Sequence, residues 1–200
     1  MKGLLFLVTA LFAGMTTAFP QMKMQFVEAE IGQAIMAQGN GYSLFDKAVG
    51  DNHAFCDLIH VGWGRDASRS IGACVGAELI SIPVYDEVAA ALTLGFEMRR
   101  YLEISHSLRC FSGFILGGIY VANGYTMAGE KNNESRFGLS LNYSVGTEMA
   151  IGEHLYIGAS VHFSANPMLT STFKPSSVTP DKGKSVFWGN KIMLTAGYRL

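Results

Sequence analysis

Charge is scarce in this chain of 200 residues. Asp, Glu, Lys and Arg make up 16% of it, against about a quarter of an ordinary soluble domain. The two signs nearly cancel, with 15 basic and 16 acidic residues, so no nucleic acid or other polyanion is expected as a partner. Beyond the first twenty residues no segment is apolar enough to cross a bilayer as a helix, which takes about 20 consecutive apolar residues. Cysteine is limited to three, an odd count that leaves at least one thiol outside any internal pairing. Phosphate-cradling loops and metal-ligand spacings are missing too, so neither cofactor nor metal is expected. Glycine, by contrast, is plentiful at 23 residues.

The opening "MKGLLFLVTALFAGMTTAFP" has Lys2, an apolar run to about Ala13, and small residues before Phe19-Pro20. It predicts a secretory signal peptide over 1–18, cleaved after Ala18. Losing Lys2 would leave 14 basic residues against 16 acidic ones, a net charge of −2. The remaining 19–200 are expected to form one domain. A secreted chain with little charge and no spanning helix has one membrane option, a closed β-barrel, because every backbone polar group must be satisfied inside lipid.

Residues 136–163 read "RFGLSLNYSVGTEMAIGEHLYIGASVHF". Leu139, Leu141, Tyr143, Val145, Met149 and Ile151 alternate with Gly138, Ser140, Asn142, Ser144, Gly146 and Glu148. After Gly152-Glu153-His154 the alternation resumes, with Leu155, Ile157, Val161 and Phe163 against Tyr156, Gly158, Ser160 and His162. A period of two means strands with one apolar and one polar face, and the tight break makes a hairpin. The same reading along the chain predicts eight strands, at 22–37, 54–64, 69–81, 88–102, 106–122, 135–151, 154–165 and 186–200. The second and fifth are ambiguous, since Asp57 and Ile115 fall on the wrong face. The links alternate between longer ones, around 38–53, 122–134 and 166–185, and tight turns. Long loops on one rim and tight turns on the other are the pattern of an outer-membrane barrel.

Three features assign the polar face to the inside. It is rich in Gly and Ser, which suit the cramped interior of an eight-stranded barrel. It carries charges of both signs, Glu28, Glu30, Glu97, Arg99, Arg136, Glu148, Lys191 and Arg199, expected to pair as a lumenal polar network. Aromatics gather near strand ends: Tyr120, Phe137, Phe163, Phe187 and Trp188 at one rim, Trp63, Tyr101 and Tyr198 at the other. Two such girdles belong at the two lipid–water interfaces.

With the leader, the eight alternating strands and the final segment "NKIMLTAGYRL", the chain resembles small bacterial outer-membrane β-barrels of the OmpA/OmpX-like kind. The last strand is similar to the C-terminal insertion signal of such barrels, with Gly197, Tyr198 and an apolar end, Leu200 standing where many relatives have Phe. The resemblance implies an all-β, eight-stranded antiparallel up-and-down transmembrane barrel in the bacterial outer membrane. It also implies contact with outer-membrane lipid and lipopolysaccharide, recognition by the barrel-assembly machinery, and a monomeric state. Eight strands leave too little room for a channel, so a structural or surface-interaction role is expected, with an extracellular partner engaged through the long loops.

Two alternatives remain. "VHFSANP" places His162 and Ser164 two apart on one strand face, partly similar to the His-x-Ser-Asn pattern of outer-membrane lipid A deacylases. Ala165 stands where that Asn would be, with Asn166 one place on, and Asp181 is the acidic residue downstream. The resemblance would make the chain a lipid A-modifying hydrolase. The other alternative is a soluble secreted barrel that binds a ligand in an apolar interior. Cys56 and Cys74 lie on neighbouring strands, where a cross-strand disulfide is conceivable, leaving Cys110 over. His60, His106 and His162, on different strands, read as isolated polar residues.

Overall fold

The computed structural model describes residues 23–39, 52–66, 68–82, 87–127, 130–174 and 186–200. The leader expected over 1–18 lies outside them, as do much of the first and last long links. Eight strands form: β1 (Lys23–Gly39), β2 (Asn52–Asp66), β3 (Arg69–Ile82), β4 (Glu87–Glu103), β5 (Leu108–Met127), β6 (Glu130–Ile151), β7 (Leu155–Lys174) and β8 (Val186–Arg199). Each pairs antiparallel with its sequence neighbours, and β1 closes on β8. The expected all-β, eight-stranded up-and-down barrel is what the chain forms. Closure leaves no edge along the barrel wall, the condition for crossing lipid.

Alternation sets the two faces. Leu139, Val161 and Leu194 are 40%, 36% and 63% exposed on the outside, whereas Ser140 and Ser160 keep 2% and 3% inside. The outer wall is therefore apolar and the charged side chains lie inside, the reverse of a soluble ligand-binding barrel. The two off-pattern residues follow backbone phase rather than chemistry. Asp57 sits on the outer wall, where its Oδ1 accepts the Ala77 amide at 3.0 Å, and Ile115 is buried inside. At the tight β6–β7 turn, Gly152 takes a φ of 81°, a left-handed conformation that costs glycine nothing.

Several expectations are corrected. Trp63 and Tyr101, 6% and 8% exposed, do not face lipid. Trp63 is buried where the β1–β2 register shifts, and Tyr101 shares the inward phase of Glu97 and Arg99. Phe187 is half-buried against interior side chains, being in phase with Lys191. Much of what reads as loop at 122–134 and 166–185 is strand. β5 and β6 stay paired from Asn123–Glu134 up to Met127–Glu130, and β6 pairs with β7 up to Asn133–Lys174. The polar, Gly- and Asn-rich composition there hides the pairing from a hydrophobic-period reading. Cys56, Cys74 and Cys110 are free thiols. In the register, Cys56 faces Glu78 and Cys74 faces His60, so the two cysteines stand four residues apart along the ladder. That is roughly 13 Å at strand rise, beyond the ~7 Å that a disulfide spans between Cα atoms.

Candidate functional site: the lumen

The lumen is filled in three layers. Nearest the short turns, Phe26, Tyr101, Phe111 and Tyr156 cluster. Three of these rings lie directly opposite a glycine on the next strand: Phe26 on Gly62, Phe111 on Gly146 and Tyr156 on Gly197. A Cβ at any of the three glycines would collide with the ring beside it, so the glycines clear the space the rings fill. Cations stack on the same rings, Arg109 3.9 Å from the Tyr101 centroid and Arg199 4.8 Å from that of Tyr156. Both also reach Glu148, Arg109 Nε at 2.6 Å and Arg199 Nη2 at 3.2 Å.

The middle layer is built around Arg99 and Glu30, both fully buried. Arg99 contacts Glu28, donates from Nε to Glu97 at 2.7 Å, lies 3.9 Å from Glu30 and 3.7 Å from Glu148, and stacks 4.5 Å from the Phe111 centroid. Glu30 accepts hydrogen bonds from Ser160 at 3.2 Å and Thr195 at 3.1 Å on Oε1. Its Oε2 meets Nε2 of His60 at 3.2 Å and Nε2 of His162 at 3.1 Å. The other ring nitrogen of His60 lies 2.9 Å from Glu97, and Tyr156 donates its hydroxyl to Glu28 at 2.7 Å. Such a bonded arrangement offsets the cost of burying charge, which is several kcal/mol per unpaired ion.

The upper layer, toward the long-loop rim, is apolar, with Cys56, Leu58, Ile80, Ile119, Met168 and Met193 among its members. Within it Lys191 donates to Glu78 as an ion pair.

Of the charges expected to line the lumen, Glu28, Glu30, Glu97, Arg99, Glu148 and Arg199 are brought together. Lys191 is separate from them, with Glu78, and Arg136 stands in the upper layer, 5.7 Å above the Phe187 ring. The histidines are not isolated: His60 and His162 converge on one carboxylate oxygen, while His106 is exposed in a turn. Glu28, Glu30 and His60 also group as candidate metal ligands, where the sequence spacing indicates none. Opposing register was the signal available, since Glu28 faces His60 across β1 and β2. The His162–Ser164 pair of the hydrolase alternative does not form among the described residues. Ser164 donates to the Gly189 carbonyl at 3.1 Å, and His162 meets Ser160 at 2.9 Å instead. Both are buried inside, on the face opposite the apolar outer wall, and Asp181 lies outside the described residues.

No family model and no curated protein sequence matches the chain. Solved structures do. Neisserial surface protein A is similar over 90% of this chain and 97% of its own, at 11% identity and a TM-score of 0.64. A major outer-membrane protein of Thermus thermophilus is similar over 87% of this chain and 99% of its own, at 12% identity and a TM-score of 0.53. Ail, the attachment invasion locus protein of Yersinia pestis, covers 89% of this chain and 100% of its own, at 16% identity and a TM-score of 0.51. With its apolar wall, filled lumen and closed antiparallel ladder, the chain has the fold of the small eight-stranded outer-membrane β-barrels.

Proposed function

We propose that this protein is a non-conducting barrel of the bacterial outer membrane, acting as a surface-interaction protein through its long-loop rim. The observation that carries the reading is the lumen, occupied at all three levels by side chains, with Arg99, Glu30 and His60 sealed at its centre. That leaves the outward rim as the place for specific recognition.

The rim offers a platform. Among the described residues, β4 pairs with β5 no higher than Ala89–Asn123, and β8 pairs with β7 no higher than Pro167–Val186. Above those points β5, β6 and β7 continue, among the described residues, as a three-stranded sheet. Strand edges of this kind accept an added peptide strand. A monomer is expected, since the wall is closed, as are contacts of that wall with outer-membrane lipid and lipopolysaccharide and insertion through the C-terminal strand.

The test trims the platform, replacing Gly124–Asn133 with an Asn-Gly turn between Asn123 and Glu134. The trimmed barrel should still run as a folded, heat-modifiable band, while cells carrying it lose adherence to protein-coated surfaces. Undiminished adherence, or steady ion conductance by the intact protein in planar bilayers, would overturn the reading.

A further inference from the structure

Two arginines stand opposite each other on the outer wall beside the β2–β3 turn. Arg69 of β3 and Arg100 of β4 are register partners, and both are exposed. The next pair toward the turn, Ser68 and Tyr101, is joined by a hydrogen bond from the Tyr101 amide to the Ser68 carbonyl at 2.8 Å. Bonded and non-bonded pairs alternate along an antiparallel ladder, so Arg69 and Arg100 form a non-hydrogen-bonded pair, with Cα atoms about 4.5 Å apart and side chains at their closest. Like charges directly opposite each other are destabilising, and arginine does not shed its proton in proteins. Among the described residues neither side chain forms an ion pair. Toward β2 the register partner of Arg69 is Asp66, one acidic residue against two arginines, so the sequence leaves a net positive charge here.

The surroundings narrow the choice of anion. On the other side of Arg100, Ser112 of β5 is its register partner and adds a hydroxyl donor. One outward-facing pair further from the turn, Met98 and Phe114 oppose each other, 58% and 40% exposed, and beyond them come Phe96 and Leu116, 51% and 50% exposed. A matching ligand therefore carries an anionic head and apolar tails that run along the same two strands. We propose that Arg69 and Arg100 clasp the phosphodiester of an anionic phospholipid in the periplasmic leaflet, its acyl chains lying over Met98, Phe114, Phe96 and Leu116. Guanidinium forks meet phosphate oxygens two at a time. One phosphodiester between the two arginines replaces their repulsion with attraction to a shared anion. The site deepens the outer-membrane reading above and rests on it, since that reading turns the short turns toward the periplasm. Free phosphate offers the same oxygens but leaves the apolar strip uncovered.

The experiment places the folded barrel in nanodiscs of equal phosphatidylglycerol and phosphatidylcholine, releases it in mild detergent and identifies the retained lipids by native mass spectrometry. Phosphatidylglycerol should be enriched. Arg69→Gln and Arg100→Gln should each cut that enrichment about fivefold, the scale of one arginine near an anionic surface. Lys23→Gln removes another exposed cation at the same rim and should leave the enrichment largely intact. Inorganic phosphate in the release buffer should not displace the lipid. Equal retention of the two lipids, or as large a loss in Lys23→Gln as in the arginine variants, overturns the site and leaves the membrane reading standing. Displacement by inorganic phosphate overturns the lipid assignment in favour of a small oxyanion. A barrel that enters no nanodisc sinks the membrane reading and the site with it. Should a glutamine variant not fold, Arg69→Lys with Arg100→Lys decides, because it keeps both charges and loses both forks: reduced enrichment supports the clasp, and undiminished enrichment ends it.

Discussion

The two ends of the lumen solve the same packing problem with opposite chemistry. Toward the long-loop rim the interior is closed by apolar side chains, which pack without directional demands. In the middle it is closed by carboxylates, a guanidinium group and imidazoles, and toward the short turns by aromatic rings with Arg109, Arg199 and Glu148 among them, the charged groups useful only with partners at hydrogen-bond distance. The apolar layer tolerates exchange of one hydrophobic residue for another. The charged layer ties particular strands together, since Arg99 of β4 contacts Glu28 and Glu30 of β1 and Glu148 of β6. Stability in the upper layer should therefore follow volume, and in the lower layers partnership.

Arg99→Met should bring the largest loss, about 3–5 kcal/mol by urea unfolding in detergent, because it strands several buried carboxylates. A loss under ~1 kcal/mol would mean that the charged layer does not couple the strands. Ile119→Ala in the apolar layer should cost about 2–4 kcal/mol as a cavity, and Ile119→Leu much less. Similar losses from both would show that shape, and not volume, governs that layer. Ser164→Ala removes one hydrogen bond to the Gly189 carbonyl and should cost about 1 kcal/mol. Lipid A mass spectra from cells carrying it should match those from wild type; a changed acyl pattern would restore a catalytic role for this serine. The smallest effect is expected where the two chemistries meet. Replacing Glu78 with Leu and Lys191 with Met together should leave stability near its starting value, since apolar residues often substitute for a buried ion pair without loss. Either substitution alone should be clearly worse.

Strand positions, hairpin turns and the two faces are legible from alternation because a pleated strand repeats every two residues regardless of what it packs against. Legibility fails where that rule is weak. Asn132, Asn133 and Glu134 extend β6 without an apolar face to announce it, and Phe187 reads as a girdle aromatic although its phase turns it inward. It fails again for contacts across the lumen. Glu30 is met by residues 130 and 165 positions away, Ser160 and Thr195, and no local pattern encodes that meeting. Nor does spacing reveal His60 between Glu30 and Glu97, because the three lie on β1, β2 and β4.

The order of residues by itself determined that this chain makes eight amphipathic strands with oil outward and small or charged groups inward. Backbone geometry enforces that period wherever a strand forms. While the β2–β3 register keeps Cys56 and Cys74 apart, only closure of the barrel decided which charges meet and which histidine lies between two carboxylates. Those outcomes depend on strand tilt and stagger around the cylinder, quantities set by the whole ladder closing on itself.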